Sequence, residues 1–135
     1  MKIHHLGIVI SDLPEALEAL GLDFEDVTET IYDEVQDNKI HFIYIKSNDL
    51  WIELVEPQNT NATTAKFAKK YGIGLHHIAM QSMDLRETEE SFHQRPYSFI
   101  LGRYKIKVNS FGGSIRTLFI AVKGLLIEFV ERVDK

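Results

Sequence analysis

An internal repeat constrains this chain more than any other feature. His4-His5-Leu6-Gly7-Ile8-Val9-Ile10-Ser11-Asp12-Leu13 recurs 72 residues later as His76-His77-Ile78-Ala79-Met80-Gln81-Ser82-Met83-Asp84-Leu85. Ile52-Glu53-Leu54-Val55-Glu56 recurs 75 residues later as Ile127-Glu128-Phe129-Val130-Glu131. Two blocks in the same order at nearly the same offset mark a duplicated module. At 135 residues the chain is too short for two independent cores, so the copies are expected to share one domain spanning 1–135. Module one covers about 1–56, a linker with a short helix 57–75, and module two about 76–133.

Each copy has the same expected layout. A strand (3–10, 75–82) leads into Asp12-Leu-Pro-Glu15 or Asp84-Leu-Arg-Glu87, an aspartate followed three residues later by a glutamate. That pattern caps a helix N-terminus and suits its dipole, and Pro14 fits the first turn, where a missing N–H costs nothing. The first helix stops near Gly21 and its counterpart before Pro96. Strand-like runs follow at 27–32, 40–45 and 50–55, and again at 103–108, 118–122 and 125–130. The order is β-α-β-β-β twice. Between the copies Ala65–Tyr71 reads as a helix, with Thr64 as its cap and Gly72 as its stop.

Composition removes several function classes. Apolar residues make up 44% and charged residues 26%, too apolar for disorder. Apolar runs such as 6–10 fall far short of the roughly 20 residues that span a bilayer, and no secretory leader is evident, so a cytoplasmic location is expected. A chain without cysteine has neither disulfides nor thiolate chemistry. The formal net charge of −5 argues against nucleic acid or an acidic membrane as partner.

Side chains alternate across a strand, so parity sorts each one into two faces. Positions 4, 6, 8 and 10 are His, Leu, Ile and Ile, suited to packing under a helix; 5, 7 and 9 are His, Gly and Val and leave space. By the same parity His77, Glu53 and Glu128 stand mid-strand on the face away from the bulkiest aliphatics. A carboxylate buried among aliphatics costs several kcal/mol unless a cation, a proton or several donors meet it. Two such glutamates at equivalent points, with one histidine per module, point to one shared divalent ion. Imidazole with carboxylate suits Co, Ni, Zn, Mn or Fe, with two octahedral positions left for water or substrate oxygens. His4, His76 and His93 read as structural, Glu56 and Glu131 as solvent-exposed strand ends, and Trp51 as a wall of the cavity, available to substrate.

With these residues in view, the chain resembles the vicinal oxygen chelate superfamily, the glyoxalase fold. Its nearest branch is methylmalonyl-CoA epimerase, through His4-His5-Leu-Gly-Ile8, Ile52-Glu53-Leu-Val-Glu-Pro57 and Ala65-Lys-Phe-Ala-Lys-Lys-Tyr-Gly-Ile-Gly-Leu-His-His-Ile-Ala79. The resemblance implies an α+β fold in which the two tandem β-α-β-β-β modules form a half-open barrel, or cup, of strands with helices outside. It carries the metal ligands onto His5, Glu53, His77 and Glu128, and it implies a small-molecule substrate, a CoA thioester in that branch, and a homodimer. Two segments depart from the branch: the first helix is clipped before Gly21-Leu22, and Val108-Asn-Ser-Phe-Gly-Gly-Ser-Ile-Arg116 lacks its proline-bearing pattern.

The implied activity is that of a metal-dependent isomerase or epimerase. The ion acts as a Lewis acid on an acyl-thioester or oxo acid that loses a proton beside its carbonyl. His41, 12 residues before Glu53, is the candidate base, and Arg116, 12 before Glu128, its symmetry mate and a candidate anchor for a carboxylate or phosphate. Arginine supplies no base, so a second proton-handling group would have to be Glu53 or Glu128 released from the ion. The alternatives are a glyoxalase I-like lyase or isomerase on another adduct, or a small-molecule-binding, resistance-type member without turnover. Against glutathione adducts, that branch's glutathione-contacting arginine falls near Val9 here.

Overall fold

The computed structural model describes residues 2–132, so the last position expected for module two, residue 133, lies outside the described residues. Eight strands and three α-helices occur in the order β1 (Ile3–Val9), α1 (Leu13–Leu20), β2 (Val27–Asp33), β3 (Asn38–Ile45), β4 (Leu50–Pro57), α2 (Ala65–Tyr71), β5 (Gly74–Gln81), α3 (Leu85–His93), β6 (Ser98–Val108), β7 (Gly113–Val122) and β8 (Leu125–Arg132). The β-α-β-β-β order is therefore present twice, and the class is α+β.

The chain divides into two compact units. One is Leu6–His76; the other combines the residues up to His5 with those from His77 onward. The first three residues of β1 thus pack with the second repeat rather than with the rest of their own.

In the unit of residues 6–76 the strand order is β2-β3-β4-β1. Neighbours run antiparallel across β2, β3 and β4, and β1 joins the far side of β4 through the Ile10 amide on the Val55 carbonyl at 2.9 Å. Helix α1 starts where Asp12 accepts the Glu15 amide at 3.1 Å and stops at Gly21. Its apolar face, Ala16 and Leu17, packs on Ile10, Ile43 and Leu54, with Ile8, Ile45 and Ile52 around them. Even positions of β1 and β4 therefore face the helix, as their aliphatics require. Each fully buried aliphatic of this kind contributes about 1.5–3 kcal/mol. Helix α2 departs from expectation at its start: Thr64 makes no capping bond, its hydroxyl instead donating to buried Asn38 Oδ1 at 2.8 Å. A buried amide oxygen left without a donor costs more than a frayed helix end.

In the other unit the order is β1-β5-β8-β7-β6, with β5 and β8 parallel and the rest of the β8–β7–β6 meander antiparallel. Asp84 accepts the Arg86 and Glu87 amides at 2.9 and 3.3 Å and starts α3. The helix covers Leu118, Ile120 and Phe129 through Leu85 and Phe92. A two-residue turn, Lys123-Gly124, joins β7 to β8 with both residues at positive φ, the left-handed pair that such a hairpin requires.

Candidate metal centre

Strand pairing builds the site. In the parallel pair Ala79 lies beside Glu128, and two residues back along β5 His77 points to the same face. The Ala79 methyl is fully buried and leaves room for the larger neighbours. From β1, His5 joins them within the same compact unit. All three side chains are buried: His5 is 1% exposed, His77 4% and Glu128 5%.

Their donor atoms converge. His5 Nε2 lies 2.8 Å from Glu128 Oε1, His77 Nε2 lies 3.1 Å from the same oxygen, and the two nitrogens are 3.2 Å apart. Ligand bonds of about 2.0–2.2 Å at right angles place neighbouring donors about 2.8–3.1 Å apart. The triangle therefore has the edge lengths of one face of an octahedral first-row ion. Its chemistry agrees: Oε1 is buried, and among the described residues no N–H is directed at it in hydrogen-bond geometry. A carboxylate oxygen in that position calls for a cation. Burial pushes the Glu128 carboxyl up, but the charges of protonated His5 and His77 outweigh it and hold it well below the usual carboxylate range.

His4, expected to be structural, has a further part. Its Nδ1 lies 2.9 Å from His5 Nδ1, and Phe111 meets its ring edge-on at 4.4 Å. If His5 donates from Nδ1, its Nε2 lone pair is left facing the triangle, the tautomer a ligand needs. The His77 ring meets Phe119 edge-on at 5.3 Å.

Glu53 stands in the other unit, mid-strand on β4 and 8% exposed. Trp51 shares its face and packs on Tyr44 with ring centroids 4.9 Å apart. The structure thus brings His5, His77 and Glu128 together in one unit and gives Glu53 the matching strand position and burial in the other.

His41 and Arg116 are corrections. His41 pairs with Leu54, on the α1 side of β3, whereas Phe42 pairs with Glu53. It is buried there with Nδ1 2.9 Å from Thr30 Oγ1 and Nε2 3.1 Å from Glu56 Oε1. Glu56 is accordingly half-buried and engaged rather than a free strand end. Arg116 pairs with Glu131, whereas Phe119 pairs with Glu128, so Arg116 too lies on the helix side. Glu131 is half-buried as well and accepts the Leu85 amide at 3.2 Å. The cause is turn length: loops of four residues (46–49) and two (123–124) make facing partners an odd number of positions apart. An offset of 12 therefore lands on the opposite face.

What does flank the glutamates is a matching row in each unit. Glu53 faces Phe42, which faces Glu29 on β2. Glu128 faces Phe119, which faces Gly102 on β6, just past a bulge. A Cβ on Gly102 would lie 2.7 Å from the Tyr104 hydroxyl, so the glycine makes room for that phenol. Sequence reasoning missed Glu29 and Tyr104 because β2 and β6 carry no repeated motif; only the register through Phe42 and Phe119 reveals them.

A strand-built donor set of this kind on paired β-α-β-β-β modules defines a class. Residues 4–113 match the model of the Glyoxalase/Bleomycin resistance protein/Dioxygenase superfamily, and the chain belongs to that family. Among individual relatives, the protein YqjC of Bacillus subtilis is 29% identical over 83 residues, 58% of this chain; the match spans about half of that protein's length (55%). Two solved structures share the fold. A variant of Streptomyces coelicolor methylmalonyl-CoA epimerase in complex with 2-nitronate-propionyl-CoA superposes with a TM-score of 0.79 at 24% identity, over 98% of each chain. Methylmalonyl-CoA epimerase from Mycobacterium tuberculosis gives 0.79 at 23%, over 97% of this chain and 87% of that one.

Proposed function

We propose that this chain is a divalent-metal-dependent isomerase of the epimerase type, acting on an acyl-CoA thioester with an acidic C–H beside its carbonyl. His5, His77 and Glu128 hold the ion, and Glu53, at the repeat-equivalent position, completes the set. A bound divalent ion supplies Lewis acidity to the oxygens of the substrate and offsets the negative charge that builds there as the proton leaves. The chain's own groups handle the proton. With His41 turned away, the carboxylates of the ligand face are the candidates: Glu29, two strands and about 10 Å of backbone from Glu53, and Glu53 or Glu128 itself. Trp51 and Tyr44 form an aromatic wall for the acyl portion. A soluble cytoplasmic homodimer is the proposed working form, consistent with the absence, among the described residues, of any helix long and apolar enough to cross a membrane.

The observation that carries this reading is the triangle of donors around a buried Glu128 oxygen with no N–H directed at it. Likeness to solved epimerases supports the choice of substrate. Val9, fully buried where glutathione-specific relatives would need an arginine, speaks against glutathione adducts. The aromatic lining of the Glu53 face favours one second reading, a binding protein without turnover.

The test joins two measurements on protein purified without chelators: elemental analysis, and deuterium incorporation from heavy water into methylmalonyl-CoA. One metal per chain and incorporation, both lost in His77→Ala, are the expected results. Metal without incorporation removes the epimerase reading and leaves the binding one. Protein without metal that cannot be loaded removes both.

A further inference from the structure

Arg116, turned away from the ligand face, opens onto a different cavity. It has a volume of about 470 Å³ and lies on the helix side of β6 and β7, lined by Arg86, Arg103, Lys105 and Arg116 above Leu85 and Leu118. The charges there are arranged at a cost to the fold. Lys105 faces Arg116 directly across the β6–β7 ladder, and like charges so placed are destabilising. Arg86 sits in the first turn of α3, where a cation opposes the helix dipole.

The neighbouring acids do not relieve this. Glu89 is taken by Arg103 at 2.6 Å. Glu131, the cross-strand neighbour of Arg116, turns its carboxylate to the Leu85 amide at 3.2 Å. Among the described residues, Arg86, Lys105 and Arg116 are left without an ion pair, in a chain whose net charge is −5. Protection of an exposed edge strand accounts for lysines on β6. It does not account for Arg116 on the interior strand β7 or for Arg86 on the helix.

We infer that this cavity is a binding site for a phosphate-bearing small organic molecule, separate from the metal centre. Three unpaired cations suit a multiply charged phosphate group, with Arg86 and Arg116 able to grip its oxygens in bidentate fashion and Lys105 acting as a point charge. Leu85 and Leu118 form an apolar floor for an organic body such as a nucleoside. The site faces away from Glu128 across the thickness of the sheet, so one ligand cannot occupy both.

Calorimetric titration with ADP and with inorganic pyrophosphate tests the assignment on the full, metal-loaded chain. ADP is expected to bind saturably at one site, more tightly than pyrophosphate. Arg116→Gln and Lys105→Gln should each weaken it about tenfold or more, the loss of a charge-assisted hydrogen bond. Lys69→Gln, on exposed α2, should leave it within about twofold, the change expected of a remote screened charge. Binding should survive in His77→Ala; its loss there would put ADP on the metal centre and overturn the proposal. No saturation at millimolar ADP, or equal weakening by Lys69→Gln and Arg116→Gln, would overturn it too. Pyrophosphate binding as tightly as ADP would refute the organic body.

Discussion

Exchanging Glu128 for glutamine separates a metal ligand from an ordinary buried acid, because the effect should change sign with pH in the metal-free protein. The Glu128 carboxyl is held below its ordinary value by charged His5 and His77. Its stabilising contribution is therefore present above the unfolded carboxyl value of about 4.3 and is lost as pH falls through the depressed folded value. At pH 5.5, with the imidazoles charged, Glu128→Gln breaks a buried ion pair and should cost about 3 kcal/mol. A chain of 135 residues unfolds with an entropy near 0.28 kcal/mol/K, so that loss lowers Tm by about 10 °C. At pH 8.5 neutral imidazoles no longer compensate the carboxylate. An uncompensated buried acceptor costs about 1–3 kcal/mol, so the variant should match or exceed wild type by up to about 10 °C. Saturating metal at about 100 times its Kd should then add about 2.7 kcal/mol, again about 10 °C, to wild type and far less to the variant. Scanning fluorimetry at the two pH values, with chelator and with Zn, Co, Ni or Mn, reads all four quantities. An equal loss of stability at both pH values, with no metal response in wild type, would refute the reasoning: Glu128 would then be a structural residue.

Other outcomes follow from single contacts. His4→Ala should weaken metal binding by about 10–100-fold in chelator competition while the far-UV spectrum stays unchanged, since His4 holds the His5 ring rather than the ion. Asp12→Ala and Asp84→Ala each remove an N-cap and should cost about 1 kcal/mol in urea denaturation, additively, because the two caps share no partners. Gly102→Ala should cost about 1 kcal/mol by pushing the Tyr104 phenol aside, and a double-mutant cycle with Tyr104→Ala should recover most of that loss.

Much of this architecture can be read from residue order because the forces that set it are local. The Asp12 and Asp84 caps, the stop at Gly21 and the aliphatic parity of Ile8, Ile10, Leu54 and Phe129 each depend on neighbours within one element. So does the placement of Glu53 and Glu128 on the face away from the helices. What escaped depends on partners far along the chain. His41 and Arg116 were assigned by symmetry of offset, but the face a residue shows across a hairpin follows the parity of the turn. Glu29 and Tyr104 matter only through the register of β2 and β6. Thr64 is drawn from its capping role by Asn38, a residue 26 positions away. The packing of residues 3–5 with the second repeat is invisible to periodicity, because both halves of β1 carry the same alternation.

That exchange of a strand's opening residues has a practical corollary. Cutting the gene between the repeats would yield a C-terminal piece holding His77 and Glu128 but deprived of its third ligating nitrogen. The N-terminal piece would carry that imidazole with no home for it. Supplying the missing short peptide in trans, or grafting it ahead of residue 77, should restore cobalt colour to the C-terminal piece. Ancestral halves built this way would have been obliged to associate before either could grip an ion.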